Sequence, residues 1–173
     1  MRLQIRGATK GDTNEIIFMM NKFQEHMERC NSNVWKITEY GRNEIESIVD
    51  EMLSGFRKTF IAEKNGMVVG FAHCHVERRM NYTPGTIGYF DMLYVKKEYR
   101  RMGIASKLIH EVCDYFTIEH VVEVNLRYVV GNSEAEALWE NLGLNPVLIT
   151  ANANLELCKQ KLLDKQKKFL PVL

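Results

Sequence analysis

The chain has 173 residues and a mass of 20.2 kDa, the usual size of one folded domain. Its 46% hydrophobic and 26% charged content excludes a disordered chain. The chain has 23 basic and 22 acidic residues, and the resulting net charge of +1 excludes a surface that is basic throughout. We therefore expect neither nucleic acid nor a membrane as a partner.

The first part of the chain predicts a strand and two helices. The strand lies around Leu3–Arg6, and Asp12 with Glu15 is a capping pair that would open the first helix. Apolar residues then recur at helical spacing at Ile16, Met20, Phe23 and Met27. A second helix is expected from about Arg42 to Phe56. Its apolar face would consist of Ile45, Ile48, Val49, Met52, Leu53 and Phe56.

The centre of the chain predicts an antiparallel meander. Two strands, Thr59–Glu63 and Met67–Arg78, are separated by Asn65-Gly66, a dipeptide typical of a tight hairpin. A third strand, Thr86–Val95, follows a loop, and a helix from Ile104 to about Phe116 comes next.

The last part predicts a strand, a helix and two closing strands. The β-rich run Val121–Val130 would lie parallel to the preceding strand after a right-handed crossover. Gly131-Asn132-Ser133 opens a short helix that Gly143 stops. Pro146–Thr150 and Leu155–Lys159 are the predicted closing strands. We expect one mixed α/β domain over residues 1–163 and a tail over residues 164–173.

The four cysteines, Cys30, Cys74, Cys113 and Cys158, are far apart, so no pair has the short spacing of a zinc or redox site. The N-terminus lacks an apolar signal region, and no stretch approaches the ~18 apolar residues of a membrane span. We therefore expect a reduced, cytoplasmic protein.

The turn from Arg100 to Ala105, Arg-Arg-Met-Gly-Ile-Ala, carries the clearest chemical signal. It follows a strand and opens a helix, so its backbone N–H groups are the unpaired donors of the first helical turn. These donors and the helix dipole favour an anion, and Gly103 lets a phosphate approach the backbone. Arg100 and Arg101 add positive charge. The turn has neither the Gly-Lys-Ser/Thr ending of a Walker loop nor the G-x-G-x-x-G order of a dinucleotide site.

This Arg-x-x-Gly-x-Ala pattern follows a strand ending Leu93-Tyr94-Val95 and is preceded by Tyr99; it resembles the acetyl-CoA signature of the GNAT N-acetyltransferase superfamily. A second match lies downstream, at the spacing of the superfamily's Asn-x-x-Ala…Tyr…Gly-Phe segment. It consists of Asn132, Ala135, Trp139 and Gly143-Leu144. The order of predicted elements also agrees with the superfamily from end to end.

The resemblance implies a single-domain α/β fold with a mixed, mostly antiparallel sheet and helices on both faces. A parallel strand pair would be splayed at the acetyl-CoA site. Acetyl-CoA would be the cosubstrate, and no metal is needed. The implied cofactor-binding residues are Leu93, Tyr94, Val95, Arg100, Arg101, Met102, Gly103, Ile104, Ala105, Ser106, Asn132, Ala135 and Trp139. The amides from Arg101 to Ser106 would bind the pyrophosphate. The pantetheine arm would pair with the backbone of Leu93 and Val95 like an extra strand, with Asn132 on its other side.

Acetyl transfer needs a neutral amine, a polarised carbonyl and a stabilised thiolate. Asp91 is the first catalytic candidate, because strand alternation places it with Ile87, Tyr89, Leu93 and Val95 on an otherwise apolar side. It also resembles the amine-contacting carboxylate of aminoglycoside and polyamine acetyltransferases. The alternative is a local hydrogen bond or a bulge that the aspartate caps.

The general acid is less well defined. Trp139 stands where the superfamily often has a tyrosine, and an indole cannot protonate a thiolate. Tyr128 is the substitute candidate, with a core role as its alternative. Protonation by solvent is a further route.

Two other groups have both a functional and a structural interpretation. His73, His75 and Glu77 alternate along one strand face, where they would bind a metal, line the acceptor pocket or serve as structural residues. Cys74 would point to the opposite face as a small core residue. Acidic residues near the second helix would favour a cationic amine or simply form a solvated face. They are Glu39, Glu44, Glu46, Asp50 and Glu51.

The sequence thus predicts an acetyl-CoA-dependent N-acetyltransferase. It would acetylate a primary amine by direct attack in a ternary complex. The sequence does not identify the acceptor: a small cationic molecule such as a polyamine or an aminoglycoside, an amino acid and a protein N-terminus all remain open. One alternative is a non-catalytic acyl-CoA-binding or regulatory module of the same fold. Another is a nucleotide-phosphate-binding protein unrelated to coenzyme A. The predicted closing strands and the apolar C-terminal end would also allow a homodimer.

Overall fold

A five-stranded sheet organises the first 133 residues of the chain. The computed structural model describes residues 3–55 and 57–169, with side chains of the last helix as far as residue 165. The strands are β1 (Leu3–Gly7), β2 (Lys58–Lys64), β3 (Met67–Arg78), β4 (Thr86–Val95) and β5 (Glu123–Leu126). They lie in the order β1-β2-β3-β4-β5, and all neighbours are antiparallel except the parallel pair β4 and β5. The predicted α/β class and mixed, mostly antiparallel sheet are confirmed.

Four α-helices lie in the described residues of this part of the chain. They are α1 (Thr13–Cys30), α2 (Glu39–Asn43), α3 (Ile45–Ser54) and α4 (Ile104–Ile118). No helix in the described ranges has both the length and the apolar character needed to cross a membrane.

The β2–β3 hairpin forms as its turn residues require. Asn65 and Gly66 have φ angles of 52° and 80°, the two positive values of the tight turn that Asn-Gly favours. The predicted hairpin is confirmed, and β3 and β4 have their predicted bounds. Val68–Cys74 is buried without interruption, which shows that both faces of β3 are covered.

Helices cover both faces of this sheet. On one face, buried residues of α1 and α3 pack in a cluster with Ile61 and Phe71. On the other, the Phe116 ring of α4 meets the Phe90 ring edge to face, with centroids 5.5 Å apart. A Cβ on Gly88 would stand 2.6 Å from the Phe116 ring, so this glycine allows α4 to pack closely on β4. The expectation of helices on both faces is confirmed.

The start of α1 differs from the prediction. Asp12 is the residue before the helix, but its carboxylate does not cap α1 and forms no pair with Glu15. It accepts hydrogen bonds from the Thr9 amide at 2.8 Å and from two guanidinium nitrogens of Arg6 at 2.9 Å. The hydrogen bonds from Arg6 hold the pKa of Asp12 at about 2. A partner on β1 therefore determines the role of this residue.

The predicted helix from Arg42 to Phe56 is two helices. Thr38 caps α2 by accepting a hydrogen bond from the Gly41 amide at 3.1 Å, and Glu44 separates α2 from α3. Of the predicted apolar face, Ile45, Val49 and Met52 are buried. Ile48 is 42% exposed, and Phe56 lies outside the described residues.

The chain from Glu134 onward forms a second unit. It holds α5 (Ser133–Asn141) from its second residue on and α6 (Leu155–Phe169). The amides of Gly143 and Leu144 donate to the carbonyls of Glu140 and Trp139 at 2.9 and 3.0 Å. This pair of bonds is a Schellman motif, so the predicted stop at Gly143 is confirmed.

The predicted closing strands are wrong. Residues 146–150 have no regular structure, and Leu155–Lys159 is the beginning of α6. Asn154 opens that helix, since its side chain accepts the amides of Glu156 and Leu157 at 3.0 and 3.3 Å. The strand pair that the homodimer expectation used is therefore not formed.

Candidate functional site

β4 and β5 separate halfway along β4. Ile87–Phe90 pairs with Glu123–Leu126, and the register goes no further. Among the residues that the structure describes, none pairs as a strand with this side of β4 beyond Phe90. The expected splayed parallel pair is therefore present.

The separated edge of β4 presents backbone groups. The Lys96 amide donates to the Val69 carbonyl of β3 at 2.9 Å, so by alternation the backbone groups of Leu93 and Val95 point to the open side. Arg100 Nε donates to the Val95 carbonyl at 3.1 Å, and its guanidinium lies 5.7 Å from the centroid of the Tyr94 ring. Arg100 thus holds the following turn against β4. The side chain of Tyr94 is buried, and by the same alternation its backbone groups point to β3, so Tyr94 presents no group to the open edge.

The turn before α4 carries a row of open backbone donors. Arg101 and Gly103 have φ angles of 63° and 73°, on either side of Met102. The first amide that the helix uses is that of Lys107, which donates to the Gly103 carbonyl at 3.2 Å. Within the described ranges, the amides from Arg101 to Ser106 donate to no protein group. Alternation of left- and right-handed residues turns successive N–H groups to one side, and such a concavity binds anions.

The space over this turn is open, and a lysine lies beside it. A Cβ on Gly103 would meet no atom within 4 Å. Lys64 Nζ of β2 lies 3.4 Å from the Met102 sulfur and 5.4 Å from the centroid of the Tyr99 ring. No sequence pattern points to Lys64, because only the sheet brings it to the turn. The residues present therefore fit a phosphate-containing ligand.

A β-bulge positions Asp91. His73 is paired with Met92 and Cys74 with Phe90, so Asp91 is the extra residue of β4. The bulge reverses the alternation of the strand. Ile87 and Tyr89 consequently lie on one face, whereas Leu93 and Val95 lie on the opposite one. The expectation that Asp91 shares a side with all four residues is wrong, since a bulge cannot be seen in one strand alone.

Asp91 lies in a small polar cluster at the point where β4 leaves β5. Its Oδ2 lies 2.7 Å from Nδ1 of His75 and 3.9 Å from Nη1 of Arg57. The side chains of His75 and Asp91 are 26% and 23% exposed, so both are accessible. The His75 ring stacks on Tyr89, with centroids 4.8 Å apart and an angle of 6° between the planes.

The two histidines of β3 have different surroundings. His73 is 1% exposed, and its Nδ1 lies 2.8 Å from the Thr59 hydroxyl. Burial lowers the pKa of His73 to about 4, so the ring is neutral. Glu77 is exposed, and no group of three histidines, cysteines or acids in the described part of the chain could hold a metal.

The other candidate residues are placed as follows. Cys74 is fully buried as predicted, and burial raises the pKa of its thiol to about 12. Asn132 is 9% exposed in the loop after β5, and Ala135 and the buried Trp139 are on α5 in the second unit. Tyr128 is half-buried two residues beyond the end of β5, because the predicted strand Val121–Val130 is shorter than expected.

The acidic residues near the second predicted helix are exposed apart from the half-buried Glu44. The set is Glu39, Glu44, Glu46, Asp50 and Glu51. No single residue pairs with all of them in the described part of the chain, and they form a solvated face.

Two curated proteins resemble part of this chain. It is 43% identical over 56 residues to N-alpha-acetyltransferase 30 of Saccharomyces cerevisiae, and the aligned residues make up 32% of each chain. It is 33% identical over 85 residues to N-alpha-acetyltransferase 30 of Schizosaccharomyces pombe, and the aligned residues make up 49% of this chain and 55% of that protein. The chain thus spans about a third and about half of the length of these relatives.

A solved structure has the same fold. The aminoglycoside N-acetyltransferase AAC(6')-Iy in complex with CoA superposes with a TM-score of 0.66 at 17% identity, covering 88% of this chain and 94% of that one. Residues 20–144 also match the sequence profile described as the Acetyltransferase (GNAT) family. Since that profile covers well over half of the chain and the sheet has the splayed parallel pair, this protein belongs to the acetyltransferase (GNAT) family, whose members use acetyl-CoA.

Proposed function

We propose that this protein is an acetyl-CoA-dependent N-acetyltransferase. It transfers an acetyl group to the primary amine of a small cationic molecule by direct attack in a ternary complex. The observation that carries the proposal is the row of open amides from Arg101 to Ser106 next to the separated edge of β4. A diphosphate and an extended amide-containing arm are the chemical groups that these two features accommodate.

The binding residues follow from that arrangement. The open amides and Lys64 hold the diphosphate of acetyl-CoA, and Leu93 pairs through its backbone with the pantetheine arm. The Val95 carbonyl is occupied by Arg100, so Val95 contributes its N–H group. Asn132, in the loop after β5, is a further binding residue that the resemblance implies, and binding roles for Ala135 and Trp139 remain predictions from the sequence.

The acid–base site is the cluster at Asp91. When bound, acetyl-CoA supplies the activated acetyl group at the end of the open strand edge. Asp91 lies at the first position beyond the last β4–β5 pair, so its carboxylate is close to that end of the edge. A negative charge there attracts an ammonium group and favours proton removal from it. Tyr128, which follows β5, is the proposed acid for the departing thiolate.

Similar proteins agree with an amine acceptor. Two relatives are named N-alpha-acetyltransferases, and a protein of the same fold is named an aminoglycoside N-acetyltransferase. All three names describe acetyl transfer to nitrogen.

Thiol release from acetyl-CoA across an amine panel tests the proposal. The panel contains polyamines, aminoglycosides, amino acids and peptides with free N-termini, and calorimetry measures coenzyme A binding in parallel. We expect micromolar binding and turnover on at least one amine. Binding without turnover on any amine would indicate the acyl-CoA-binding module instead. Thermal stabilisation by ATP or NAD but not by coenzyme A would indicate a nucleotide-binding protein.

A further inference from the structure

His75 of β3 contacts Asp91 but has no role in the function proposed above. The 2.7 Å distance between His75 Nδ1 and Asp91 Oδ2 is that of a short, charge-assisted hydrogen bond. An ionised carboxylate only accepts hydrogen bonds, so the ring donates from Nδ1. In a neutral imidazole, a proton on Nδ1 leaves the lone pair on Nε2. The bond to Asp91 therefore makes Nε2 the basic atom of His75.

The ring is held before any substrate binds. β3 and β4 pair His75 directly with Tyr89, whose ring is parallel to the imidazole within 6°. The bulge brings Asp91 to the same face, where it fixes the edge of the ring that carries Nδ1. Nε2 bonds to no protein group within residues 3–55 and 57–169, and the His75 side chain is 26% exposed. Its basic nitrogen is accordingly free to meet a ligand.

Charged and aromatic side chains surround this ring. Asp91 presents its negative charge from β4, and Tyr89 stacks on the ring from the same strand. Arg57 lies just before β2 and approaches the same carboxylate oxygen only to 3.9 Å, with its side chain 56% exposed. His73 on β3 is neutral, so it adds no competing positive charge.

We propose that His75 is the general base of the acetyl transfer and that Asp91 is its positioning residue; this inference rests on the proposed function. Nε2 of His75 takes one proton from the amine while the nitrogen lone pair forms the bond to the acetyl carbon. The carbon–sulfur bond breaks, and its electron pair leaves with sulfur. Tyr128 gives its proton to the thiolate and regains one from water, to which the imidazolium releases its own proton, so the net products are the amide and a free thiol.

An imidazole suits this task better than a carboxylate acting alone. An imidazole ordinarily titrates near pH 6.5 and a carboxyl group near pH 4. A general base works best when it titrates close to the working pH, because it is then both unprotonated and basic enough. The pair places an imidazole against the ligand and the carboxylate behind it.

The first experiment is a pH profile of kcat/KM for the wild-type enzyme and two variants, His75→Gln and Asp91→Asn. We expect the wild-type profile to rise through an inflection in the imidazole range. His75→Gln should lower kcat about 100-fold or more and remove that inflection, with the acetyl-CoA affinity and the unfolding temperature unchanged. Asp91→Asn should lower kcat more than tenfold, because the ring is no longer held with its proton on Nδ1.

A matched control lies on α4. His110 forms the same type of pair with Asp114, with 3.0 Å between Nδ1 and Oδ2, but its side chain is 78% exposed. His110→Gln should leave kcat and the pH profile as in the wild type. A His75→Gln variant that also behaves like the wild type would overturn the inference. Loss of activity in Asp91→Asn, with the inflection retained in His75→Gln, would make Asp91 itself the base.

The second experiment does not depend on turnover. Imidazole nitrogen chemical shifts report which ring nitrogen carries the proton, and His75→Gln assigns the signal. We expect the proton on Nδ1 in the wild-type protein and a mixture of the two tautomers in Asp91→Asn. A proton on Nε2 in the wild-type protein, or the same tautomer in both proteins, would refute the pair. Turnover on no amine would refute the proposed function and the base with it, whereas normal turnover in His75→Gln would refute only the inference.

Discussion

Replacing Gly103 with Ala, Gln and Glu separates the backbone requirement of the turn from its charge requirement. Gly103 has a φ of 73°, and a Cβ there would meet no atom within 4 Å. The substitutions therefore create no clash, and their cost is that of the left-handed conformation, about 1–2 kcal/mol. We expect all three variants to lose this much free energy of unfolding.

Only the Glu variant adds a negative charge to the proposed diphosphate site. A unit charge about 6 Å from two phosphate charges is repelled by roughly 1.4–5.5 kcal/mol for an effective dielectric constant between about 80 and about 20. This range corresponds to a roughly tenfold to 10⁴-fold larger dissociation constant for coenzyme A. Gln has nearly the same shape, so the ratio between Glu and Gln isolates the charge.

Calorimetry measures the coenzyme A affinity of each variant, and denaturant unfolding measures its stability. Gly66→Ala is the matched control, since Gly66 has a φ of 80° and an equally open Cβ position in the β2–β3 hairpin. It should lose similar stability and keep the wild-type affinity. Equal coenzyme A affinities for the Gln and Glu variants would refute an anion site at this turn.

Three further predictions concern stability and binding. Arg6 holds the pKa of Asp12 at about 2, below the ordinary 3.8. Above pH 4 this carboxylate therefore contributes about 2 kcal/mol to the free energy of unfolding, and that contribution is lost as the pH falls toward 2. Between pH 4 and pH 2, the free energy of unfolding of Asp12→Asn should fall less than that of the wild-type protein. Gly88→Ala should cost about 1–3 kcal/mol by overpacking against Phe116, and adding Phe116→Leu should recover part of it; no change in unfolding free energy would contradict this. Lys64→Met should weaken coenzyme A binding and make the affinity depend less on salt concentration. An unchanged salt dependence would show that Lys64 does not contact the diphosphate.

Local patterns in the sequence determined much of the sheet and the anion turn. β3 and β4 were predicted with their bounds because strand-like runs are flanked by turn residues such as Asn65-Gly66. The open amides before α4 follow from the position of Gly103 between a strand and a helix. Such features depend on neighbours in the chain, so one sequence suffices to predict them.

Short apolar runs were less informative. Leu155–Lys159 alternates like a strand but lies in α6, where Asn154 provides the helix cap. Five residues cannot distinguish the two periods reliably, since helix and strand patterns differ clearly only over longer windows.

Tertiary structure alone decided the chemistry around Asp91. The bulge exists only in the register between β3 and β4, which leaves Asp91 without a partner and reverses the face of the residues after it. That register brings His75 to Asp91 across 16 positions of sequence, and the sheet brings Lys64 to Met102 across 38. Contacts between separate strands depend on how the strands pair, and no spacing within one strand contains that information.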